Sequence, residues 1–253
     1  MTRTPEGALR DVALCLAFFT RLPLPAMDFR NRKLAEAIWA APLAGLAVAL
    51  IGALAYVVTT SSGLAQGPAA ALALGIMALA TGALHEDGLS DVADGFGGGR
   101  NRERKLEIMR DSRIGAYGAA ALSMSFLLRW SALSEIHGAW QVLAALVAAH
   151  CASRGLLGAL MHRLPPARTD GLSAGAGAVP RRVAATGVAL AVLALMPLGL
   201  VGLAVAMGVL LVIFAAFSAL CRRQIGGQTG DTAGALQQLA EIGVLLVASA
   251  TFP

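Results

Sequence analysis

Long apolar runs broken by short, strongly polar stretches set the pattern of this chain. At about 20 apolar residues per membrane crossing, the runs predict seven helices over roughly 34–60, 67–84, 115–134, 138–160, 183–197, 199–220 and 232–250, with the fifth and sixth divided at Pro197. The run Ala13–Phe19 is too short to cross and is followed at once by Thr20-Arg21-Leu22-Pro23. It predicts a helix lying at the membrane surface, with a re-entrant dip of residues 9–29 as the alternative, and no cleavable signal. Residues 165–180 lack periodicity and are rich in Pro and Gly, so they predict a mobile loop, either a tether or a cover for a substrate.

Composition fixes the solvent. The 253 residues are 57% hydrophobic and 14% charged, with mean hydropathy +0.70, more apolar surface than one soluble core of this size can hide. The apolar content is mainly Ala, Leu, Val and Gly, which suits close contact between helices in lipid. The fold class is therefore all-α: a polytopic transmembrane helical bundle of about seven spans with short cytoplasmic or interfacial helices. We find no repeat and no soluble domain, so 1–253 is one integral-membrane domain, with an interfacial segment at 1–33 and an acidic segment at 85–114. Cys15, Cys151 and Cys221 are scattered and odd in number, and read as packing residues.

Charge adds orientation. The pI near 9.7 arises from one-sided placement of Lys and Arg rather than from a nucleic-acid surface. Residues 1–33 and 85–114 carry six each, and later ones fall at Arg163, Arg168, Arg181, Arg182, Arg222 and Arg223; segments 61–66 and 135–137, on the opposite side of the map, carry none. The N-terminus and every long polar segment are thus predicted to be cytoplasmic at the inner membrane.

Candidate chemistry begins at His85-Glu86-Asp87-Gly88-Leu89-Ser90-Asp91-Val92-Ala93-Asp94, with four carboxylates in nine residues. On a helix, Asp87, Asp91 and Asp94 share one face and repel, while Glu86 points about 100° away. Carboxylate oxygens suit Mg²⁺, which takes one or two from protein and keeps places for water and phosphate. We therefore assign Glu86, Asp87, Asp91 and Asp94 as candidate metal ligands and Mg²⁺ as the cofactor. Gly97 and Gly98 follow as a candidate backbone cradle for an anion, and Arg100, Arg104, Lys105, Arg110 and Arg113, with Arg21, as candidate phosphate-binding cations. Asp111 either completes the metal site, orients an arginine or balances local charge. Asp231, in Gly230-Asp231-Thr232, is either a helix cap or a base or ligand on the same membrane face, and His85 adjoins the acids. Arg129, Arg154 and Glu241 fall within spans, where charges need partners.

The blocks Phe19-Thr20-Arg21-Leu22-Pro23, His85 to Asp94 with the glycines after it, Asp111-Ser112-Arg113-Ile114-Gly115 and Gly230-Asp231 together resemble the cobalamin synthase family over nearly the whole chain. The resemblance implies a magnesium-dependent inner-membrane enzyme acting late in adenosylcobalamin assembly. Adenosylcobinamide-GDP would pass its phosphate-linked corrinoid to α-ribazole, or to its 5′-phosphate, with release of GMP. Its membrane location leaves room for a complex with other enzymes of that assembly, and small-residue faces at Gly45–Gly52 and Gly202–Gly208 are compatible with a homo-oligomer. Two rivals share the physics. A CDP-alcohol phosphotransferase would need D-G-x-x-A-R, but Asp94-Gly95 continues Phe-Gly-Gly; an aspartate-rich prenyltransferase would need a second acid-rich loop. A transporter would place acids at mid-bilayer between repeats.

Overall fold

A computed structural model of the chain describes residues 5–25, 29, 32–170 and 175–252. Among these, all seven predicted helices are present, and their ends shift by a few residues. Helix α1 (Pro5–Phe19) and the single turn α2 (Leu34–Ala37) precede α3 (Ala41–Ser61) and α4 (Gln66–Thr81). Next come α5 (Leu84–Gly98), α6 (Arg102–Ile108), α7 (Ala116–Ser134) and α8 (Ala139–Arg163). Helices α9 (Arg181–Leu195), α10 (Gly199–Ile225) and α11 (Gly230–Thr251) complete the bundle.

By length and composition, four helical stretches can cross a membrane: Leu34–Ser61, Ala139–Arg163, Arg181–Ile225 and Gly230–Thr251. A fifth arises if α4 and α5, bent by 89°, count as one broken span. Seven apolar runs thus reduce to four or five crossings by this criterion. Arg181–Ile225 counts once although α9 and α10 face each other across an apolar groove lined by Val188, Val192 and Leu195 on one side and Met207, Leu211 and Phe214 on the other. α4 has only 16 residues, and α7 is diluted by Arg129 and four serines.

Helix α8 is the central post, packed against α3, α9 and α11. Small residues set these contacts: a side chain on Gly45 would strike the His150 backbone, and one on Gly155 would strike Gly187. Gly52 lies against Met77 of α4, so the Gly45–Gly52 face is used within the chain. All three cysteines are buried and free, as packing residues should be.

Helix α1 is about 22 Å long at 1.5 Å per residue, too short to cross, and lies against α2 and α3. Its buried Asp11 accepts hydrogen bonds from Arg32 Nη2 and Trp39 Nε1, both at 2.8 Å, which pins the entry to α3. The elbow between α4 and α5 uses Gly82 (φ +64°) and Ala83 (φ +54°), the latter a strained choice for a residue with a Cβ. The right-angle bend turns α5 aside from the line of α4 and brings it against α7 and α11.

Residues 165–170 are not loose. Ala167 N–H donates to the Gln228 carbonyl (2.8 Å) and Gln228 N–H to that of Pro165 (2.9 Å), so this stretch is stitched to the connection before α11. Arg102 of α6 braces the same junction, donating to the carbonyls of Ile225 and Ala167. The rest of the predicted loop includes residues 171–174, outside the described set.

Candidate active site

Two glycines build the site. Gly88 of α5 lies directly on the backbone of Asp231, where a Cβ would come within 2.8 Å of the Asp231 carbonyl, and Gly234 of α11 lies on His85 and Gly88. Helices α5 and α11 therefore touch backbone to backbone, which sets Asp87 and Asp91 beside Asp231. Asp87 is exposed, while Asp91 and Asp231 are partly covered. Burial and the neighbouring charges of Asp87, Asp231 and Asp94 push the Asp91 carboxyl up to about 7. Thr229 and Thr232 close a reciprocal capping box at the start of α11, and Thr229 Oγ1 donates to Asp231 Oδ2 (3.2 Å).

Arg168 reaches this cluster from the stitched 165–170 segment. Its Nη2 lies 3.5 Å from Asp231 Oδ2 and donates to the Leu106 carbonyl, while its buried Nε has no partner among the described residues. Arg110, paired with Asp170, lies within electrostatic range of both Arg168 and Asp231. Beside the acids opens a cavity of about 210 Å³, its mouth carrying Asp87 and Asp231 and its walls apolar.

Several sequence-predicted roles move. Glu86 turns into the bundle, where its Oε1 accepts from Arg129 Nη1 (3.0 Å), away from the exposed Asp87. Asp94 caps α7, accepting from Gly115 N–H (2.7 Å) and Gly118 N–H (2.9 Å), so both its oxygens are engaged. Gly97 and Gly98 close the C-terminal end of α5, where N–H groups are spent within the helix and only carbonyls are spare. They form no anion cradle. Gly97 instead makes room for the Tyr117 ring, and Gly95 and Gly99 for α6.

Lys105 is held by Gln224 and Arg104 by Glu107 (2.8 Å). Arg113 binds Asp111 (2.6 Å), and this guanidinium, with the Arg113 N–H, holds the exposed Asp111 carboxyl down to about 2. Asp111 thus serves its own turn rather than the metal cluster. Arg100 stands exposed just past α5. Arg21 is tied through its N–H to the Ala80 carbonyl (2.7 Å), and its side chain lies over Gly82 at the elbow. His85 is a cavity wall, stacked on Phe19 with ring centres 5.7 Å apart. Among the described residues no three His, Cys, Asp or Glu converge closely enough to enclose a metal by themselves. Asp87, Asp91 and Asp231 lie within electrostatic range of one another.

Beneath the site lies a buried polar core. Arg129 Nη1 bridges Glu86 and Glu241 (3.1 Å), and Glu241 also meets His150 Nδ1 (3.0 Å), Arg154 (3.8 Å) and Gln237. Glu241 thus pairs with both intramembrane arginines, and His150 gains the partner that sequence could not name. Arg168 was missed as a site residue because its loop offers no local motif and its contacts are some 60 residues away. Phe18 gave a signal only as part of an apolar run, whereas Phe19 also opens the Phe19–Pro23 block.

The family model described as "Cobalamin-5-phosphate synthase" matches residues 11–249. A relative from Mesorhizobium japonicum named "Adenosylcobinamide-GDP ribazoletransferase" is 65% identical, covering 98% of this chain and 96% of its own length. Relatives of the same name from Bradyrhizobium diazoefficiens and Ralstonia nicotianae are 52% and 42% identical, covering 98% and 95% of this chain and 96% and 95% of their own lengths. No solved structure matches the chain. With four motif blocks in register and a family model spanning nearly every residue, the chain belongs to the cobalamin-5-phosphate synthase family.

Proposed function

We propose that this chain is the transferase its relatives are named for, joining adenosylcobinamide-GDP to α-ribazole or α-ribazole 5′-phosphate in a late step of cobalamin assembly. The observation that carries the reading is the meeting of Asp87, Asp91 and Asp231 from two helices at the mouth of an apolar cavity, flanked by Arg168 and Arg110. A diphosphate needs cations and alignment more than it needs covalent help.

In the proposed reaction a ribose hydroxyl oxygen of the ribazole attacks the corrinoid-side phosphorus. The new P–O bond forms as the bond from that phosphorus to the bridging oxygen breaks, GMP leaves with its phosphate, and Asp231 takes the hydroxyl proton. Arg168 holds the Asp231 carboxylate in place and sets its positive charge beside the phosphates. Asp87 and Asp91 are the proposed magnesium ligands, with Asp231 at the edge of the same site; bound magnesium would neutralise charge on the diphosphate. The Lys and Arg distribution supports a cytoplasmic N-terminus and site at the inner membrane. Purified enzyme in liposomes, given both substrates, should yield one condensed corrinoid per GMP. Conversion of a CDP-alcohol or a prenyl diphosphate, with none of the cobinamide substrate, would replace this reading.

A further inference from the structure

The cavity beside the carboxylates is lined by Phe18, Phe19, Ile38, Leu84, Leu157 and Met161, drawn from α1, the turn before α3, α5 and α8. Asp87 and Asp231 line the same cavity, and its remaining walls are mainly apolar. Its 210 Å³ is on the scale of a bicyclic ring rather than a corrin macrocycle. Aromatic side chains line one end: Phe18 meets Phe19 edge-on at 4.9 Å, and Phe19 lies nearly parallel to His85, at 12°. Polar capacity is small. The Thr229 hydroxyl is already committed to Asp231 and the Thr232 N–H, and His85, stacked on Phe19, also lines the polar core with Arg129, His150, Arg154 and Glu241.

We propose that this cavity is the ribazole subsite. The dimethylbenzimidazole lies among Phe19, Leu157 and Met161 beside His85, and the ribose projects to Asp87 and Asp231 at the mouth. The inference rests on the ribazole-transfer reading above and assigns one of its two substrates to a place. The base is flat, carries two methyl groups and has a single ring nitrogen free to accept, so it asks little polar contact of its walls. Guanine, the other ring in the reaction, presents several donors and acceptors that the end formed by Phe18, Phe19, Ile38, Leu157 and Met161 would leave unpaired. Apolar walls reward the methyl groups, and stacking rewards the flat ring. The same placement directs a ribose hydroxyl toward Asp231 and leaves the diphosphate outside the cavity, near Arg168.

The test is equilibrium binding of α-ribazole to the full-length wild type in detergent, without the second substrate, alongside a riboside of unsubstituted benzimidazole and guanosine as competitor. The two methyl groups should be worth roughly tenfold in affinity, and guanosine should not compete. Met161→Trp, which fills the cavity from α8, should weaken α-ribazole binding at least tenfold and raise its KM, leaving the KM of adenosylcobinamide-GDP within about twofold. The wild-type comparisons stand even if Met161→Trp does not fold. Competition by guanosine, equal binding of the two ribosides, or a folded Met161→Trp with unchanged α-ribazole binding overturns the assignment. Wild type that binds α-ribazole with the expected preference but releases no GMP refutes the transfer reading instead and leaves the cavity as a site for an apolar bicyclic ring.

Discussion

Asp94→Ala separates a cap from a metal ligand. Asp94 accepts two N–H groups at the first turn of α7, from Gly115 at 2.7 Å and Gly118 at 2.9 Å, and is itself buried. Removing it leaves the buried Gly118 N–H without an acceptor, frees the Gly115 N–H at the exposed edge of the turn, and takes a negative charge away from a helix N-terminus. Caps contribute about 0.5–2 kcal/mol, and hydrogen bonds to charged groups about 1.5–3 kcal/mol each. With some sharing between the two bonds, the loss should be about 2–4 kcal/mol, an apparent Tm fall on the order of 5–15 °C for a chain of this size. Thermal unfolding in detergent reads it, with Asp94→Asn keeping an acceptor and losing less. Gly118→Ala should also destabilise, because its Cβ would press on Asp94 and Ser90; combined with Asp94→Ala the two effects should fall short of their sum. Asp87→Ala, on an exposed side chain of the same helix, should leave Tm within about 1 kcal/mol of wild type while removing activity. An Asp94→Ala protein with wild-type Tm and no magnesium response would refute the cap and return Asp94 to the metal.

Proton linkage gives a second expectation. Asp91 titrates near 7 in the metal-free protein because burial and its acidic neighbours oppose its charge. A folded pKa above the ordinary value means that its contribution to stability is present below about pH 4 and is lost as pH rises through 7. Magnesium must displace that proton, so its apparent affinity should fall about tenfold per pH unit below 7 and level off above it; activity titrated with metal at pH 6 and pH 8 checks the slope. Glu241→Ala strips Arg129 and Arg154 of their shared carboxylate inside the bundle and should cost about 3–5 kcal/mol, with Glu241→Gln losing less, read by heat unfolding. Arg168→Ala should lower kcat/KM about 10²-fold with little change in Tm, and Arg168→Lys should recover only part of it, since a lysine cannot engage Asp231 and a phosphate oxygen in one fork; steady-state kinetics decide.

The helices were legible because a membrane span is a local property of about 20 residues, read directly from composition. Their number as crossings was less so: α4 is short, and α9 and α10 count as one stretch although the chain turns between them at Gly199 (φ +71°). The face shared by Asp87 and Asp91 followed from helical spacing, as did the divergence of Glu86. Spacing alone could not tell that Asp94, on nearly the same face, would meet the start of α7 at Gly115 and Gly118. Nor does a glycine run say what fills the space it leaves; here Tyr117, Met109 and Lys105 fill it, not a phosphate. Arg168 was hidden for the same reason, since its neighbours Leu106 and Asp231 lie far along the chain. Long-range pairing also decided that Glu241 would serve two arginines at once.

The central claim is that Asp87, Asp91 and Asp231 form the metal-diphosphate site, and a magnesium titration of GMP release from adenosylcobinamide-GDP and α-ribazole tests it most directly. Wild type should release GMP only with metal and with both substrates, and Asp87→Ala, Asp91→Ala and Asp231→Ala, each with a wild-type unfolding profile, should lose the magnesium response. Folded variants that keep wild-type activity at the same metal concentration, or wild-type release that persists in a chelator, would contradict it.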